Sequence, residues 1–148
     1  MIRIFLIGYM GAGKTTLGKA FARAMGLTFV DLDWYIEERF HKTVRQIFTE
    51  RGEDGFRELE KRMLHEAGET VFLDVNTKVL FRRLKVAKQQ RPLLANKNDE
   101  ELMAFIQEAL QKRLPYYTKA KHVFNGERLE DRHQIQQSVE RLKELLEL

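Results

Sequence analysis

Residues 8–15 read GYMGAGKT and follow directly on the apolar run IRIFLI. Gly8, Gly13, Lys14 and Thr15 satisfy G-x-x-x-x-G-K-[ST], the spacing of a phosphate-binding loop. Each residue type has a reason to be there. Glycine lets the backbone take positive φ and approach a ligand closely. Successive N–H groups can then converge on an anion, and the helix that follows adds the positive end of its dipole. Lys14 would reach the β- and γ-phosphates of a nucleoside triphosphate, and the Thr15 hydroxyl would bind Mg²⁺.

Other residues along the chain could complete such chemistry. Asp31 and Asp33, in LTFVDLD, stand at the end of a second apolar run. In an α/β sheet that edge faces the same crevice as the phosphate loop. One acid could approach Mg²⁺ through water and the other could accept a hydroxyl hydrogen bond. Asp33 could equally cap the helix that begins WYIEERF. Arg57 and Glu60, in FRELE, could form an ordinary i,i+3 pair. Arg91, in QRPLL, falls in a polar stretch between two helices, where a lid could carry it over a transferring phosphate. Arg113, in KRLPYY, suits a carboxylate, which a guanidinium grips with two parallel hydrogen bonds. Each arginine alone also reads as a solvated side chain.

The elements that must hold these residues follow from periodicity. IRIFLI and TVFLDV (70–75) read as buried parallel strands, and so does LTFVDLD. KHVFN (121–125) reads as a last short strand. Leu17, Phe21 and Ala24 place a helix from about Lys14 to Met25, ended by Gly26. Thr77 is expected to cap a helix through Leu84. Leu102, Phe105, Ile106, Ala109 and Leu110 predict a helix from Asp99 to Leu114, stopped near Pro115. Ile135, Val139, Leu142 and Leu146 predict an amphipathic closing helix after Asp131. Strands alternating with helices imply an α/β fold, a three-layer α/β/α sandwich with a mainly parallel sheet.

The chain has 148 residues, 43% hydrophobic and 32% charged, with a net charge of +4. That is enough for one domain, residues 1–148, with its own core. Acids interleave with the bases, and no aromatic-studded basic stripe appears, so neither nucleic acid nor membrane is an expected partner. No cysteine is present, which removes disulfide and thiol chemistry. No stretch reads as a membrane span or a leader, so a cytoplasmic monomer is expected. The four histidines show no metal-ligand spacing. Trp34 and Tyr35, which follow the acid pair, suit a substrate pocket and the core equally, and Phe48, Phe56, Tyr116 and Tyr117 suit packing.

Taken in order, GYMGAGKTTLGKAFARAMGLTFVDLD, IEERFHKTVRQIFTERGEDGFRELE, RPLL and RLPYY resemble the shikimate kinase family over most of the chain. The resemblance implies a P-loop kinase with strand order 2-3-1-4-5. The implied activity is transfer of the γ-phosphate of ATP, with Mg²⁺, to the 3-hydroxyl of shikimate, in aromatic amino acid biosynthesis. Gly11, Ala12, Gly13, Lys14, Thr15 and Thr16 would bind the nucleotide, and Arg83 would sit against adenine. Asp31 would touch the metal through water, beside Thr15. Asp33 would bind the ring hydroxyls and accept the proton of the attacking one. Arg57 and Arg113 would grip the shikimate carboxylate, and Arg91 would approach the triphosphate. Residues 33–61 correspond to the substrate-binding helices and 86–99 to the lid. Two rivals are another P-loop small-molecule kinase, such as a gluconate kinase, and a non-catalytic nucleotide-binding module.

One family feature is missing. Shikimate kinases carry a strand ending in three glycines after the helix with F-R-x-x-E. Here LEKRMLHE runs almost directly into AGETVFLDV, and no two glycines are adjacent anywhere. The missing strand would lie between strands one and two, so its loss should leave backbone groups there unpaired.

Overall fold

A computed structural model describes residues 3–30, 32–88 and 94–148, without the side chains of 32–34 and 63–67. The elements are β1 (Ile4–Ile7), α1 (Lys14–Met25), α2 (Leu32–Phe40), α3 (Val44–Ala67), β2 (Glu69–Asp74), α4 (Thr77–Ala87), α5 (Asp99–Tyr117), β3 (His122–Asn125) and α6 (Arg132–Leu145). The three strands form one parallel sheet in the order β1-β2-β3, with Ile7 opposite Phe72 and Phe72 opposite Val123. α1 packs with α6, and α4 packs with α5. Helices flank the sheet on both sides, as the alternating pattern requires.

The main core fills the space between sheet and helices. Leu17, Val71, Leu73, Leu80, Leu84, Ile106 and Leu142 are all buried in it. A second, smaller core holds α2 against α3 through Ile36, Ile47, Phe56 and Leu59. Phe48 stacks near Phe56 there, with ring centroids 4.6 Å apart. α3 opens with a capping box, Thr43 with Gln46, and kinks at Gly52, where φ is 72°. The 33–61 region is therefore helical, as expected, and has apolar support of its own.

Four expectations need correction. The second strand, in LTFVDLD, does not form: residues 27–30 carry no regular structure and α2 already begins at Leu32. The order β1-β2-β3 reproduces only the 1-4-5 part of 2-3-1-4-5. The two departures share a cause. A strand holds its extended form through ladder bonds to a neighbour, and the element that would stand between residues 27–33 and β1 is missing from the sequence. The helix expected to stop near Pro115 continues to Tyr117. Proline removes one N–H bond, and in the last turn the loss is small because Thr118 N–H reaches the Leu114 carbonyl at 2.9 Å. At α4 the cap is Asn76 rather than Thr77, accepting from Lys78 N–H at 2.8 Å, and the helix runs on to Ala87. Among the described residues, no helix is long and apolar enough to cross a membrane.

Candidate active site

The glycine loop spans the six residues between β1 and α1. Gly11 and Gly13 have φ of 80° and 99°, in the left-handed region that favours glycine. Ala12 N–H bonds the Tyr9 carbonyl at 3.1 Å and closes the turn. Lys14 folds back so that its Nζ donates to the Gly8 carbonyl at 2.9 Å. The N-terminus of α1 thus opens onto the loop, with Thr15 and Thr16 exposed in its first turn.

The loop after β3 packs directly on this turn. A side chain at Gly126 would meet the Ala12 carbonyl at 2.9 Å. The Leu129 side chain presses against Gly13 so closely that a Cβ there would clash. Arg83, on α4, ties the two loops together. It donates to the Gly11 carbonyl at 3.0 Å, the Gly126 carbonyl at 2.8 Å and the Glu127 carbonyl at 3.0 Å. Burial lowers its pKa, opposed by Glu130, whose carboxylate lies 3.6 Å from Nε.

Arg57 and Arg113 come together on the other side of the glycine loop. Arg57 pairs with Glu60 at 3.2 Å, so the i,i+3 reading of FRELE is realised. Both side chains are largely covered, 12% and 14% exposed, unlike an ordinary surface pair. The Arg113 guanidinium lies 5.3 Å from the centre of the Tyr9 ring and 3.6 Å from Glu53. Tyr117 lies within the influence of both arginines. Burial raises its pKa, and the charges of Arg113 and Arg57 pull against that rise. The Tyr117 ring also stacks on Phe72, at 5.1 Å, which anchors the group to β2. Lys61 beside Lys119 lowers the Lys119 pKa, a second sign of positive charge gathered in this corner. The Nε–H of Arg57 is buried without a hydrogen-bond acceptor, and that of Arg113 is buried facing only the Glu53 carboxylate at 3.6 Å, beyond hydrogen-bond distance. Buried donors normally have close partners, so under-bonded donors on these two arginines suit an anionic ligand.

Asp31 and Arg91 lie outside the described residues, and Asp33 is described only as backbone within α2. Tyr9 and Glu53 were not singled out in the sequence as partners of the arginines. Nor was the cleft of about 400 Å³ between the glycine loop, the end of β2 and α5, which Asp74, Gln107 and Gln111 line. Glu60 was legible through its spacing from Arg57. Glu53 and Tyr9 were not, because they meet Arg113 across long stretches of chain.

A parallel sheet whose first strand feeds a glycine loop and a helix N-terminus, with an arginine pair beside it, defines a P-loop phosphotransferase. A family model described as shikimate kinase matches residues 10–70 and 62–143. A shikimate kinase of Phocaeicola vulgatus is 64% identical over 99% of both chains. One of Bacteroides thetaiotaomicron is 59% identical over the whole of both. The crystal structure of a Bacteroides thetaiotaomicron shikimate kinase superposes with a TM-score of 0.82, at 59% identity over 99% of each chain. A shikimate kinase from Acinetobacter baumannii in complex with shikimate gives 0.65, at 27% identity over 97% of this chain and 92% of that one. The chain belongs to the shikimate kinase family.

The same comparisons locate its departure. The alignment with the Phocaeicola protein spans 173 positions against 148 residues here, so at least 25 positions stand opposite gaps. The family match breaks into two pieces that overlap at 62–70, where α3 passes through Gly68 into β2. That is the junction at which the glycine-triplet strand is missing.

Proposed function

We propose that the chain transfers the γ-phosphate of ATP to the 3-hydroxyl of shikimate. The observation that carries this reading is the pair of largely covered arginines with under-bonded Nε–H groups, Arg57 and Arg113, the second lying over Tyr9 of the phosphate-binding loop. Burying a carboxylate is costly unless cations and donors meet it, and two guanidinium groups answer both needs. Shikimate offers one carboxylate to that corner and its hydroxyls to the rest of the pocket.

The amides of residues 11–16 and the Lys14 ammonium would hold the triphosphate. Lys14, one of whose three N–H donors serves the Gly8 carbonyl, would turn its others to phosphate oxygen. Thr15 offers an exposed hydroxyl oxygen at the helix N-terminus, a hard donor that suits Mg²⁺, with Asp31 acting through water. The metal would neutralise charge between the β- and γ-phosphates. Asp33 would orient the attacking hydroxyl and take its proton. Arg91 would add positive charge from the lid. Arg83, on α4 beside the loop, would set its guanidinium against adenine. Phosphoryl transfer then depends on alignment and charge more than on covalent help.

Isothermal titration with Arg57→Ala tests the assignment. A charge-assisted hydrogen bond contributes about 1.5–3 kcal/mol, so shikimate affinity should fall about 10- to 100-fold while ATP affinity stays within about twofold. Equal loss of both would contradict the role given to Arg57. One observation favours a second reading, a nucleotide-binding module without turnover: the missing glycine-triplet segment. ATP binding without ADP release, in protein whose intact mass matches 148 residues, would establish that reading.

A further inference from the structure

Three backbone carbonyls converge on one side chain beside the phosphate loop. Arg83 bonds Gly11, Gly126 and Glu127 at 2.8–3.0 Å, from 43 to 72 residues away in sequence. We infer that Arg83 is a positioning residue that holds the phosphate loop in its anion-receptive form, independently of any contact with the base. The inference rests on the P-loop reading above.

The physical need is specific. A loop that turns its N–H groups toward an anion must turn its carbonyls away, and each carbonyl then needs a donor. The Lys14 ammonium meets the Gly8 carbonyl, and its remaining donors are the ones available to phosphate. Arg83 meets the Gly11 carbonyl with a different nitrogen from the one that serves Gly126 and Glu127, so this bond can persist through the cycle. It also fixes the neighbouring loop, whose Gly126 and Leu129 already pack on Ala12 and Gly13. That second loop is rigid in its own right. Ser138, buried on α6, donates to the Arg128 carbonyl at 2.8 Å, and Glu127 N–H is held by Asn125 at 2.9 Å. A planar fork can span all three carbonyls, whereas the compact ammonium of a lysine cannot.

The test separates loop geometry from base contact by using a ligand with no base. Binding of Mg²⁺–ATP, inorganic tripolyphosphate with Mg²⁺, and shikimate is measured by calorimetry for wild type, Arg83→Lys and Arg83→Met. Each measurement is made well below the variant's own melting temperature. The inference predicts that tripolyphosphate and ATP weaken together, by about tenfold or more in both variants, while shikimate affinity is retained. Loss of ATP affinity with unchanged tripolyphosphate affinity would overturn it in favour of base contact alone. So would full rescue by Arg83→Lys, or a parallel loss of shikimate binding. Failure of the wild type to bind either phosphate ligand would instead count against the P-loop reading itself.

Discussion

Removing the ammonium of Lys14 leaves the loop amides in place but takes away the cation nearest the transferring phosphate. Lys14→Met should therefore lower kcat by about 10²- to 10³-fold, the scale for losing one preorganised donor to developing charge. Quenched-flow measurement of ADP release checks this, and a kcat within tenfold of wild type would contradict it. Arg113→Lys keeps the charge but loses the fork that lies over Tyr9. Its KM for shikimate should rise about tenfold with little change in KM for ATP, measured in steady state. At this scale the sequence was informative where a motif fixes spacing, as in Gly8 to Thr15. It was uninformative for Arg83, because a side chain bonded to distant carbonyls leaves no pattern in neighbouring residues. A contact with adenine was expected of Arg83, whereas its bonds to three distant carbonyls were not.

The helical unit α2–α3 carries its own small core, separate from the main one. Its stability should therefore be partly independent. Phe56 is 2% exposed, packs on Phe48, and lies 5.3 Å from the Arg57 guanidinium. Phe56→Ala removes a buried aromatic, a loss of about 3–5 kcal/mol where the site cannot collapse. The expected result is loss of hydrogen-exchange protection across 33–61 and weak shikimate binding, with ATP affinity nearly intact. Uniform loss of protection throughout the chain would contradict an independent unit. Most elements were legible from their periods: β1, β2 and β3 as apolar runs, α1, α5 and α6 as stripes. LTFVDLD was misread because its composition suits a strand while the strand that would pair with it is missing. Composition reports what a segment could bury, and pairing depends on a neighbour elsewhere in the chain.

At the scale of the whole molecule, the sheet of the described residues ends at β1. Arg3 accepts from Glu69 N–H toward β2 at 2.8 Å, so the alternation of the strand turns the N–H and C=O groups of Ile4 and Leu6 to the other side. Leu27 and Val30, in the irregular segment before α2, are 40% and 45% exposed. An open edge beside exposed apolar side chains is the expected result of passing from α3 to β2 through one glycine. Placing the extra residues of the Phocaeicola relative at the 62–70 junction should cover that edge and raise Tm by several degrees, as calorimetry would show. An unchanged or lower Tm would mean that the shortened junction has been accommodated without cost. The strand order 1-4-5 and the missing segment were both legible in the sequence, whereas the fate of residues 27–33 emerged only from the assembled sheet.

The central claim is that the glycine loop and the arginine pair act on one acceptor together. The most direct test is ADP release from Mg²⁺–ATP by the purified 148-residue chain, with shikimate, with gluconate and with no acceptor. The account predicts release that depends on shikimate, at least tenfold above the rate without acceptor, with gluconate inactive. A rate indifferent to shikimate, in protein that binds ATP, would contradict it.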